Sequence, residues 1–293
     1  MSFTYIAYFL AWKLLGYLPE ARAYALMNWI ADQITKRNPS GVQRFRTNYL
    51  RVRPDLEEPE LQRLVEEGMR SYLRYWCDTF RLPLWSREQI VDRVTVINDH
   101  LLRDALAAGK GAIVSLPHAG NWDHAGAYYC QTGAPIVTVA EHLEPEKLFR
   151  KFLDYRQSLG MEVLDASARS LATLSQRLRQ GRLIALVADR DLSKNGVDVT
   201  FFGHPARMPA GPAVLSIQTG APLLTAFVRY LDEGIEITFE PAIAIPETGT
   251  TAAKVSTMIQ ESADRLAVHL REHVTDWHML QRIWIDGDFK ERE

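Results

Sequence analysis

A histidine and an aspartate with four residues between them, His118 and Asp123, stand in GAIVSLPHAGNWDHAGAYY at 111–129, just after an apolar run that reads as a strand. A neutral imidazole in that place can take a proton from a hydroxyl, while a nearby carboxylate fixes its tautomer and stabilises the imidazolium that forms. Such groups gather at the carboxyl ends of strands in open α/β sheets, because helices begin there. Gly120 permits a tight turn, Asn121 can cap, and the helix that follows offers unpaired N–H groups beside the histidine. The plainer reading is a loop histidine followed by a capping aspartate.

A second charged cluster ends another apolar run in RLIALVADRDLSKNGVDVTFFGHPARMPAGPA. Asp189, Arg190 and Asp191 follow that run directly; a carboxylate there could reach His118, and the guanidinium could meet an anionic or polar acceptor. A solvated Asp-Arg pair closing a strand fits the same residues equally well. Further on, Phe201, Phe202, Gly203, Pro205, Pro209, Gly211 and Pro212 predict a rigid apolar loop turning into a helix, which lines a hydrophobic ligand slot or covers the core. Glu141 follows the third predicted strand and Arg156 sits in a helical segment; charges so spaced are ordinarily surface residues. His124 faces elsewhere on its helix than Asp123 and reads as structural, and His278 in the tail DWHMLQRIWID reads as a packing histidine. No glycine-rich dinucleotide fingerprint, Walker loop, zinc spacing or G-x-S-x-G elbow is present, which removes the best support for hydride transfer, ATP hydrolysis and the common serine hydrolase layout.

These residues need a scaffold, and the pattern predicts one domain over 1–293, with a helical cap at 1–87 and an α/β core at 88–293. GYLPE breaks a first helix, NPSG separates the next two, and ELQRLVEEGMRSYLRYWCDTF carries apolar residues at i, i+3/i+4 spacing. From Val91 the runs VTVI, GAIVSLP, APIVTVA, MEVL and RLIALVAD alternate with helical segments, which predicts a mostly parallel central sheet flanked by helices. APLLTAFVRY and IEITFEPA predict an antiparallel pair across LDEG, followed by a long helix near 250–272.

The 293 residues are 47% apolar and 24% charged, with a net charge of -2, so the chain is globular and no bulk nucleic-acid binder. Cys77 and Cys130 form neither a disulfide framework nor a zinc site, which fits a reducing compartment. Residues 1–54 hold eight basic residues against Glu20 and Asp32, a local +6. The uncharged opening run stops at Lys13, short of the roughly 20 residues a spanning helix needs, and has no signal-peptide layout. Tyr5, Tyr8, Phe9, Trp12 and Leu15 recur at helical spacing; they fit a buried first helix, and also a helix lying in the headgroup layer, which the basic residues behind it favour.

PHAGNWD, ADRDLS, VTFFGHPARMPAGPAVLSIQTGAP and DWHMLQRIW together resemble the lipid A late acyltransferase family within the wider glycerolipid acyltransferase group, most closely its actinobacterial branch. The resemblance covers nearly the whole chain, including NPSGVQRFRTNYLRVRP and MRSYLRYWCDTFRLP. It implies transfer of a long acyl chain, palmitoyl above all, from acyl-CoA or acyl carrier protein to a mannose 6-hydroxyl of phosphatidylinositol mannosides, without a required metal or resident cofactor. It implies a peripheral enzyme on the cytoplasmic face of the plasma membrane. By the same resemblance His118 is the base, Asp123 is the motif aspartate, and Glu141 and Arg156 fall at polar positions of the site. The resemblance also implies that Asp189 stands where the mycobacterial members carry a glutamate that orients the histidine, so a side chain one methylene shorter must approach closer. Alternatives are acylation of the lipid A type or of another glycolipid, thioester hydrolysis, and a lipid-binding scaffold without turnover.

Overall fold

The computed structural model describes residues 15–140, 146–166, 169–191 and 193–287. Tyr5, Tyr8, Phe9, Trp12 and Glu141 lie outside them. The cap consists of α1 (Glu20–Arg37), α2 (Ser40–Val52) and α3 (Glu58–Arg81). Pro19 precedes α1, and Asn38 ends it at φ 45°, a left-handed position that asparagine tolerates better than most residues. The predicted stripe on α3 is buried at Leu61, Val65, Met69, Leu73 and Phe80, so burial of one amphipathic face holds the helix in place.

After α4 (Arg87–Asp92) come β1 (Val94–Ile97), α5 (Asp99–Ala107), β2 (Ala112–Leu116), α6 (Trp122–Gln131), β3 (Ile136–Ala140), α7 (Glu146–Ser158), β4 (Glu162–Asp165), α8 (Ser170–Arg179) and β5 (Leu183–Val187). Then follow β6 (Val197–Phe201), β7 (His204–Met208), α9 (Gly211–Thr219), β8 (Leu223–Tyr230), β9 (Ile235–Phe239) and α10 (Thr251–Glu272). Seven strands form one sheet in the order β1-β9-β8-β2-β5-β3-β4. All neighbours run parallel except β8 and β9, the hairpin expected across LDEG. The chain is therefore an α/β protein with a mostly parallel central sheet flanked by helices.

Alternate side chains of β2 serve two apolar layers. Ile113 packs with residues of α8, α9, α10 and the cap, whereas Val114 and Leu116 pack with residues of α5, α6 and α7. Both faces of β2 are buried, which explains its uninterrupted apolar sequence. The cap is tied to the sheet by buried Asp78, which accepts hydrogen bonds from Tyr24 (2.7 Å) and from Tyr230 of β8 (3.1 Å).

One element differs from the expectation. The segment read as a rigid loop up to the helix is an antiparallel hairpin, β6 with β7, closed by the two residues Phe202 and Gly203. Their φ values are 51° and 78°, the pattern of a type I′ turn, which matches the twist of a hairpin. Phenylalanine at the first of these positions is uncommon, so no turn signal stood in the sequence. Pro205 is accommodated because the hairpin has only two strands and both are edges.

Candidate active site

The register of β2 against β5 builds the centre. Leu116 pairs with Val187, so two residues beyond each strand end His118 and Asp189 arrive side by side. The His118 imidazole Nδ1 lies 2.6 Å from Asp189 Oδ1, and the His118 backbone N–H donates to Oδ2 at 3.1 Å. Trp277 Nε1 donates to the same Oδ2 at 2.9 Å. Burial alone would raise the Asp189 carboxyl; the charge on His118, then the hydrogen bonds from His118 and Trp277, outweigh it and hold the group below the usual carboxylate range. An ionised carboxylate accepts only, so Nδ1 carries a proton, and in the neutral imidazole Nε2 then keeps its lone pair. His118 also lines the main cavity, with its side chain 34% exposed.

The C-terminal strap, residues 273–287 after α10, braces this arrangement. His278 N–H donates to the His118 carbonyl at 2.8 Å, and Gly120 N–H donates to the Asp276 carbonyl at 2.9 Å. Gly120 has φ 56°, and a Cβ there would sit 2.5 Å from the Val228 carbonyl oxygen, so the motif loop lies against β8 with no room for a side chain.

Asp123 is not the partner of His118. Buried in the first turn of α6, it accepts from Arg156 Nε at 2.8 Å and from Tyr75 OH at 2.9 Å. Burial works against the Arg156 charge, but the Asp123 carboxylate more than offsets it. Replacing Arg156 by Met is expected to cost about 3 kcal/mol, because it strands a buried carboxylate. Urea unfolding measures this, and a loss below 1 kcal/mol would show the pair to be dispensable.

His118, Arg156 and Arg190 line one cavity of about 700 Å³. Its polar end also includes Tyr75, Trp122 and His278; the remainder is walled by Phe149, Phe152, Leu171, Leu174, Leu186 and Leu215 of α7, α8, β5 and α9. A slot of this size and lining can take a long apolar chain. Pro209, Gly211 and Pro212 of the expected loop do line it. Gly203 does not: it is exposed in the hairpin turn. Asp191 also stands apart, its Oδ1 accepting the Ser193 N–H at 2.7 Å in the loop before β6.

Tyr75, Trp277 and His278 were missed as site residues. Tyr75 lies on α3 outside the residues read as its apolar stripe, and Trp277 and His278 lie in a tail read as packing; their contacts span dozens of residues and leave no local signal. His278 Nε2 lies 3.0 Å from Ser71 Oγ, whose proton goes to Asp276 Oδ1 at 2.8 Å. Burial, with a smaller effect of the His118 charge, pulls His278 down to about 3, and burial pulls His124 down to about 4.

Both histidines are neutral when folded and gain protons on unfolding below their ordinary 6.5, so their stabilisation is present above that pH and lost as pH falls. Asp276, raised by burial to about 6, and Asp78, also raised, oppose this, their contribution fading as pH rises through the folded value. Between pH 7 and 5 a net loss of about 2 kcal/mol is expected from urea unfolding. A flat or rising profile would contradict it.

The sequence profile of bacterial lipid A biosynthesis acyltransferases matches residues 1–285. The chain belongs to that family. It is 39% identical over 287 residues to the phosphatidylinositol mannoside acyltransferase of Mycolicibacterium smegmatis, covering 96% of this chain and 91% of that protein. To the phosphatidylinositol mannoside acyltransferase of Mycobacterium tuberculosis it is 40% identical over 287 residues, covering 95% of this chain and 88% of the relative. The enzyme is an acyltransferase.

Proposed function

We propose that this acyltransferase moves a palmitoyl-length chain from acyl-CoA to the 6-hydroxyl of a mannose in a phosphatidylinositol mannoside. The observation that carries the reading is His118, held by ionised Asp189, on the wall of a largely apolar slot. His118 Nε2 takes the hydroxyl proton as the oxygen attacks the thioester carbonyl. The tetrahedral intermediate collapses, the C–S bond breaks, and the leaving thiolate receives the proton from the imidazolium. A thioester is already activated, so a base, orientation and charge stabilisation suffice without a covalent enzyme intermediate. Arg190, on the cavity wall, supplies positive charge toward the developing oxyanion. The Asp123-Arg156 pair holds sugar hydroxyls.

The site works from the membrane surface. No described helix is long and apolar enough to cross a membrane. Tyr17 (87% exposed), Trp29 (60%) and Leu84 (65%) present apolar surface on and beside the cap, and the N-terminal basic residues add attraction to the anionic inner leaflet of the plasma membrane.

Thiol release from palmitoyl-CoA, followed with a thiol reagent, tests the reading. Release is expected to depend on added phosphatidylinositol mannoside. Equal release without it would make the protein a thioesterase, and release only with a hydroxyacylated saccharide lipid would favour acylation of the lipid A type.

A further inference from the structure

A second concavity, about 320 Å³, opens beside the main cavity on the other side of the C-terminal strap. Among the described residues, Arg44, Arg51 and Arg282 line it together with one carboxylate, Asp286, an excess of two positive charges. Its floor is fixed: Asn48 Nδ2 donates to the carbonyls of Met279 (2.7 Å) and Gln281 (3.0 Å), and Asn48 Oδ1 accepts from Trp284 Nε1 (2.8 Å). Two of the guanidinium groups are fixed as well. Arg51 lies 4.8 Å from the Trp284 ring centroid and forks onto Asp286 at 2.8 and 3.1 Å, while Arg282 donates to the carbonyls of Trp284 (3.1 Å) and Asp286 (2.8 Å). Forking onto a carboxylate engages one N–H on each terminal nitrogen, so Arg51 keeps further donors. Arg44 has no carboxylate partner among the described residues, whereas Arg46 two positions on is paired with Glu58.

Planar guanidinium groups held in this way match the oxygens of a phosphate ester. The strap is the shared wall of the two spaces: Gln281 lines the main cavity and Arg282 the groove. A thioester of coenzyme A and a phosphoinositide glycolipid both carry phosphate away from their reacting ends, so the phosphate lies outside an apolar slot that holds the chain. We propose that the Arg44-Arg51-Arg282 groove is a subsite for a phosphate ester of one of the two substrates. The groove's chemistry stands on its own geometry; only the choice between these two esters rests on the acyl-transfer reading.

The test is calorimetric titration of the whole protein with coenzyme A and, separately, with glycerophosphoinositol, for wild type, Arg44→Glu and Arg44→Lys. Arg44 is chosen because it makes no hydrogen bond that supports the fold among those described, and thermal unfolding checks that each variant is folded. One ester is expected to bind wild type, more weakly as salt rises, at least fivefold more weakly to Arg44→Glu and within twofold of wild type to Arg44→Lys. The ester that responds identifies the source. Binding of neither ester to wild type, or equal binding of both to wild type and folded Arg44→Glu, would overturn the proposal. Because binding is read directly, this outcome is separate from any failure of acyl transfer.

Discussion

His118→Ala is expected to lower the turnover number for acyl transfer by about a thousandfold, equivalent to about 4 kcal/mol of barrier, while the protein stays folded. The side chain is one third exposed at the cavity wall, and its removal leaves the β2-β5 pairing, the Asp189-Trp277 bond and the strap contacts through backbone groups in place. Asp189 keeps the residue 118 N–H and Trp277 as donors but loses the one at Oδ1, so a lowered thermal midpoint is expected with the protein still folded at the assay temperature. Turnover within tenfold of wild type in a folded variant would show that another group accepts the hydroxyl proton.

Asp189→Asn is expected to lower turnover by a comparable factor, between about a hundredfold and ten thousandfold. Asp189 accepts three donors: Nδ1–H of His118 at one oxygen, and His118 N–H with Trp277 Nε1–H at the other. An amide has one oxygen and one NH₂ group. Its better orientation keeps the oxygen toward the two donors and turns NH₂ toward Nδ1, which makes Nδ1 an acceptor and moves the imidazole proton to Nε2. The base is then in the wrong tautomer. Steady-state kinetics should show the loss in kcat with KM changed only a few fold, and the double variant with His118→Ala should be no slower than His118→Ala alone, since residues acting as one unit are not additive. Full additivity would contradict the coupling.

What the sequence revealed follows the range of the interactions concerned. The apolar runs β1 to β5, the β8-β9 hairpin and α10 carry their periodicity and turn residues locally, and all of them stand where the pattern puts them. The pairing of His118 with Asp189 needs the order of strands: β2 and β5 are neighbours although two strands lie between them in the chain. Without that order, a solvated Asp-Arg pair fits the residues as well. The aspartate also reaches the imidazole without the extra methylene of glutamate, because both residues leave their strands at the same level. Asp123 was placed beside the histidine by its spacing, yet the first turn of α6 aims it at Arg156 and Tyr75. No spacing within one chain segment could show that, since the two partners come from α7 and α3. The β6-β7 hairpin escaped because its turn is made by Phe202 at positive φ, a conformation stabilised by the strands around it rather than by its own residue type.

The measurement that bears most directly on the whole account is transfer of label from radiolabelled palmitoyl-CoA to purified phosphatidylinositol mannosides, with products separated by thin-layer chromatography, for wild type and His118→Ala in parallel. The account predicts a labelled glycolipid with wild type, labile to mild alkali as an ester must be, and almost none with His118→Ala. Label confined to free palmitate, or an equally labelled glycolipid from the folded variant, would contradict it.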